Sequence, residues 1–102
     1  MKRYLEAKEI EVLFFSAYFL YGRCKYGHTE HGDIRLGRIA ACKGVMRLCE
    51  GWMKAPEPRL RSRLSDAFVL LQRQADRLAD GTFKHAYLET LEALREAHAK
   101  SG

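Results

Sequence analysis

The sequence predicts an all-α protein, a compact bundle of about four helices. Three observations carry this. Apolar residues recur at three- and four-residue spacing in four separate stretches. The two prolines, Pro56 and Pro58, fall together in one short turn, so the long stretches carry no helix breaker. Polar segments with glycine separate the first stretch from the second and the third from the fourth. With 102 residues the chain is expected to form one domain, 1–102. Hydrophobic residues make up 47% and charged residues 30%, which excludes a disordered chain.

The first helix is expected from about Lys2 to Gly22. Its second half, Val12 to Tyr21, is apolar around nearly the whole circumference. Such a helix is enclosed on most sides. It is either the centre of the bundle or shared between the core and a dimer interface, and a chain this short has few elements to enclose it. The whole apolar stretch, Ile10 to Tyr21, is shorter than the roughly 20 residues of a membrane span, and it contains Glu11. No small-residue cleavage site of the signal-peptide kind follows it.

A polar loop, residues 22–33, comes next, with Asp33 placed to cap the second helix. That helix is expected from about Ile34 to Lys54. Ile34, Ala41, Val45, Cys49 and Trp52 share one face, with Cys42, Met46 and Met53 beside it. Gly37, Gly44 and Gly51 recur every seven residues on a neighbouring line with Ala40, Ala41 and Leu48. Each helical glycine costs about 1 kcal/mol relative to alanine, so such a line needs a reason. Close approach of another helix supplies one. Gly37, Ala40, Ala41, Gly44 and Leu48 are therefore expected to form a groove for the first helix or for a second chain.

The third helix is expected from Pro58 to Asp80, on the stripe Leu60, Leu64, Ala67, Phe68, Leu71, Ala75 and Leu78. Gly81 reads as its C-cap. Thr82 reads as the N-cap of a fourth helix running to about Lys100, with Phe83, Tyr87, Leu91, Leu94 and His98 inward and Ala97 alongside. Short links favour antiparallel neighbours.

The net charge of +5, with a pI near 9.3, suits acidic partners. Arg59, Arg63, Arg73 and Arg77 fall on one line of the third helix, opposite the leucine stripe. Such a row can grip acidic residues of a protein or span the phosphates of a nucleic acid. No aromatic residue interleaves it, so it offers no base-stacking platform. Arg38 falls within the apolar arc of the second helix and calls for a carboxylate, Asp33 or Glu11, or else reaches to water at the helix start.

The chain has three cysteines, and Cys42 and Cys49 lie about 10 Å apart along one helix. That is too far for a disulfide. The odd count fits a reduced, cytoplasmic protein. The loop holds Cys24, His28, Glu30, His31 and Asp33, which are zinc-ligand types. Their spacing matches no familiar zinc finger and paired CxxC elements are absent, so no metal or cofactor is expected. Arg23 and His28 form an R-x4-H pair, which resembles the catalytic pattern of the helical HEPN ribonucleases. In that family the arginine and histidine act on the RNA phosphate, from a helix in a dimer cleft. The resemblance covers six residues, and Gly22 and Gly27 predict a turn here instead. Ser16 lies in the apolar run and no sharp turn presents it.

The expected function is that of a homodimeric, non-enzymatic protein-interaction module: an adaptor, regulator or inhibitor of a larger assembly. Accessory proteins of bacteria, phages and mobile elements, anti-CRISPR inhibitors among them, include many helical domains of this size. A nucleic-acid-binding regulator using the arginine row is the second reading, and a metal-binding or RNase-like protein the third.

Overall fold

The structure, a computed structural model, describes residues 7–27, 32–54 and 64–101, with residues 65 and 99–101 described by backbone alone. The four helices are α1 (Ala7–Tyr26), α2 (Gly32–Met53), α3 (Leu64–Asp76) and α4 (Thr82–Ser101). The all-α class holds. The start of the first helix at Lys2, the turn with Pro56 and Pro58, and Leu60 lie outside the described residues.

The first helix does not stop at Gly22. It runs on to Tyr26, past one interior glycine whose cost is only about 1 kcal/mol. Its end is fixed at Gly27, whose N–H donates to the Arg23 carbonyl at 2.8 Å. A side chain from α2 completes the cap. Arg35 donates from Nε to the Cys24 carbonyl at 2.9 Å and from Nη2 to the Lys25 carbonyl. These are carbonyls that the last helical turn leaves without partners. Helix α2 then begins at Gly32, with φ +63°, which places Asp33 inside the first turn rather than at the cap. There its carboxylate still meets the positive end of the helix dipole.

The central element is α2, along which α1 and α4 both pack. Of the two placements expected for α1, the centre of the bundle is thus corrected: α2 holds it. The core takes Ile10, Leu13 and Ala17 from α1, and Ala41, Cys42, Val45, Cys49 and Trp52 from α2. It takes Ala67, Phe68, Leu71 and Ala75 from α3, and Tyr87, Leu91 and Leu94 from α4. These are members of the four apolar stripes. Each large side chain so buried contributes about 1.5–3 kcal/mol. Ile34 and Met53, at the ends of the α2 stripe, are exposed, as is Ala97 on α4.

The junction of α3 and α4 departs from the sequence reading. Helix α3 ends at Asp76, where Arg77 N–H donates to the Gln74 carbonyl at 3.3 Å and Leu78 N–H to the Ala75 carbonyl at 2.9 Å. These three-residue bonds tighten the final turn and bring Leu78 against the core. Gly81 is not a C-cap. Its carbonyl accepts the first bond of α4, from His85 N–H at 3.0 Å, so Gly81 itself holds the N-cap position and Thr82 is the first helical residue. Its φ of +152° is a conformation that glycine adopts at little cost.

Thr90 on α4 is fully buried, and its Oγ1 has no hydrogen-bond partner among the described residues. A buried hydroxyl left unsatisfied costs about 1–3 kcal/mol. Thr90→Val keeps the shape and removes the hydroxyl. It is expected to raise stability by about 1 kcal/mol, read as a higher midpoint in urea; a lower midpoint would show that the hydroxyl is bonded in solution.

Candidate functional site

Helix α1 has two apolar faces. Ile10, Leu13 and Ala17 turn toward α2 and the core. Val12, Phe15 and Phe19 turn away from it, 39%, 55% and 69% exposed. Tyr26 continues their line one step past Gly22 and is 71% exposed; Tyr18 flanks it at 54%. At 100° per residue, Val12, Phe15, Phe19, Gly22 and Tyr26 occupy an arc of about 80°. The aromatic rings also order one another. Phe14 and Phe15 meet edge to face at 5.7 Å, Phe14 stacks on Tyr18 at 6.4 Å, and Tyr18 meets Phe19 at 6.3 Å. Such ring pairs hold the face in a defined shape.

The face carries opposite charges at its two ends. Glu9 stands in the first turn and Glu11 follows, while Arg23 and Lys25 stand in the last turn. That order suits the helix dipole. Lys25 Nζ lies 5.5 Å from the centres of both the Tyr21 and Tyr26 rings, and Lys43 of α2 lies 5.9 Å from Tyr21. The Tyr21 hydroxyl beside it holds the Lys25 ammonium above its ordinary pKa. The basic end of α1 is therefore a cluster of cations and aromatic rings; the other end carries Glu9 and Glu11 on either side of Lys8, which lies on the line of the row itself.

The other sequence candidates are distributed elsewhere. The close approach at Gly37 is made by α4, not by α1 or a second chain. A Cβ there would lie 2.4 Å from the Phe83 carbonyl oxygen and 2.9 Å from the Ala86 Cβ. Gly44 faces Leu71 and the Tyr87 hydroxyl, Ala41 is buried, Ala40 and Leu48 are half-buried, and Gly51 faces open space. Arg73 and Arg77 are exposed, while Arg59 and Arg63 lie outside the described residues. Arg38 pairs neither with Asp33 nor with Glu11: its Nη2 lies 3.5 Å from Glu89 Oε1 of α4, a partner that only the approach of α4 supplies.

Cys24 and Asp33 lie at facing helix ends, and His28, Glu30 and His31 lie outside the described residues, as does the histidine of the R-x4-H pair. Arg23 stands on the last turn of α1, not in a turn. The Ser16 hydroxyl donates to the Val12 carbonyl at 2.9 Å. Cys42 and Cys49 are fully buried, and burial pushes both thiols up to about 12. His85 is exposed beside Glu89, and His98 is buried.

The outward row on α1 is not evident from the sequence alone. Its signal is the alternating three-and-four spacing of Val12, Phe15, Phe19, Gly22 and Tyr26. That spacing was masked by the inward apolar residues interleaved with it. Among the described residues, no helix is long and apolar enough to cross a membrane. Comparison with protein-family models, curated proteins and solved structures gave no match.

Proposed function

We propose that the chain is a small, non-enzymatic protein-interaction module, an adaptor, regulator or inhibitor of a larger assembly, which docks through the outer face of α1. The single observation that carries this is the aromatic row turned away from the core. Isolated apolar residues on a surface are ordinary. A contiguous row is different: at half exposure or more, four rings present roughly 500 Å² of apolar surface, at the upper end for a monomer. Aromatic residues are also the side chains that dominate binding energy at interfaces. Two features fit a non-enzymatic reading: the Ser16 hydroxyl is bonded to its own helix, and the Cys42 and Cys49 thiols are buried and held protonated.

The test compares the wild type with Phe15→Gln/Phe19→Gln. Both side chains are exposed, so helix content and thermal midpoint are expected to stay unchanged. Capture of a stoichiometric protein partner from native lysate is expected to fall more than tenfold. Undiminished capture would overturn the proposal. So would recovery of nucleic acid alone, lost on alanine substitution of Arg73 and Arg77 instead.

A further inference from the structure

We infer that the occupant of the α1 face is the same face of a second copy, the two α1 helices packing antiparallel about a two-fold axis. This rests on the docking role proposed above: a second copy is the resting occupant of the face that the larger assembly engages. Val12, Phe15, Phe19, Gly22 and Tyr26 alternate steps of three and four, the spacing of a coiled-coil seam. A seam of that kind is shaped to meet another like it, and a two-fold dimer requires a patch complementary to itself.

The charges select the direction. Glu11 and Lys25 lie on one flank of the seam, with Tyr18 between them; Glu9 and Arg23 lie on the other. In an antiparallel pair, like flanks face each other from opposite ends. Glu11 then meets the partner's Lys25 and Glu9 meets the partner's Arg23, each contact occurring twice. A parallel pair would set acid beside acid and base beside base. Aligning the opposite charges centres the two-fold near residue 17. Phe15 then lies against the partner's Phe19, and Val12 against the partner's Gly22, where a Cβ would find nothing within 4 Å. Charge and shape thus agree on one register.

The area places the contact among the small, weak interfaces. Roughly 500 Å² from each copy gives about 1,000 Å² in all, the lower bound for a specific interface. Area alone does not fix an affinity, but the weak, transient class to which interfaces of this size belong makes dissociation at about 1–100 µM the expectation.

Sedimentation equilibrium of the full chain tests this. The wild type is expected to pass from 11.8 kDa to twice that mass across the micromolar range. Phe15→Gln/Phe19→Gln is expected to weaken dimerisation more than twentyfold. Glu11→Lys and Lys25→Glu should each weaken it about five- to tenfold, since each replaces two attractions by two repulsions. The double variant Glu11→Lys/Lys25→Glu restores opposite charges and should return to within about twofold of the wild type. Circular dichroism on each variant confirms that these exposed positions leave the fold intact. A wild type that stays monomeric at about 500 µM overturns self-pairing; a loss of lysate capture by the phenylalanine variant would then still uphold the docking role. Dimerisation unaffected by that variant overturns self-pairing through this face. Equal affinities for the wild type and both single charge variants overturn the antiparallel arrangement.

Discussion

Gly37→Ala is expected to destabilise the protein by about 2–3 kcal/mol and to lower its thermal midpoint by roughly 10–20 °C. The new methyl would sit 2.4 Å from the Phe83 carbonyl oxygen and 3.2 Å from the Tyr87 backbone nitrogen. Backbone atoms cannot rotate out of the way, so α4 must shift as a body or the methyl must be squeezed. The roughly 1 kcal/mol that alanine gains as a helix former offsets only part of this. The same substitution elsewhere on the line provides the control. At Gly44 the methyl meets the far ends of two side chains, Leu71 Cδ2 at 3.1 Å and the Tyr87 hydroxyl at 3.3 Å, which can give way; little net change is expected. At Gly51 nothing lies within 4 Å, and Gly51→Ala is expected to raise stability by about 0.5–1 kcal/mol. Denaturant midpoints for the three variants should therefore rank Gly51, Gly44, Gly37. If Gly37→Ala matches Gly51→Ala, the close approach of α4 is wrong.

The second large effect is loss of stability in alkali. Burial pushes the Cys42 and Cys49 thiols up to about 12, from an ordinary value near 9.0. The unfolded chain releases both protons near pH 9, while the folded chain keeps them. Above that pH the unfolded state binds fewer protons, so stability falls as pH rises, by up to about 1.4 kcal/mol per pH unit for each thiol. Burial of the Tyr87 phenol raises it too and acts in the same direction at higher pH. Between pH 8 and 10.5 a loss of about 2 kcal/mol or more is expected. Cys49→Ala should lower stability at neutral pH, because it empties core volume. It should also make the alkaline slope shallower. A slope identical in the wild type and that variant would mean that the Cys49 thiol ionises freely in the folded state.

These two expectations rest on different amounts of sequence information. The buried thiols were legible: Cys49 lies on the apolar face of α2 and Cys42 beside it, and helical periodicity alone turns them inward. The glycine line was legible as a groove, but its occupant was not. Gly37 meets α4, whose approach depends on the small side chain of Ala86 and on residues far away in sequence. For the same reason the Glu89 partner of Arg38 could not be chosen over nearer carboxylates. The candidate site lay half in view. Residues Val12 to Tyr21 read as apolar all round, but periodicity cannot assign one side to the core and the other to solvent. Only the placement of α2 against Ile10, Leu13 and Ala17 separates the two faces. Once they are separated, the acidic and basic ends of the outer row take on meaning.

The sequence by itself determined the helices and their inward stripes, since three- and four-residue periodicity is a property of neighbours along the chain. Helix ends were less determined. Gly22 and Gly81 mark breaks by propensity, yet the first lies within a helix and the second opens one, because bonds from Arg35 and His85 decide where the backbone partners run out. The tertiary structure alone decided which helix is central, which face of α1 remains outside and which helix enters the glycine groove. Each of these depends on contacts between residues distant in sequence. Such contacts are settled by the shape and volume of whole helices meeting one another, not by the pattern within any one of them.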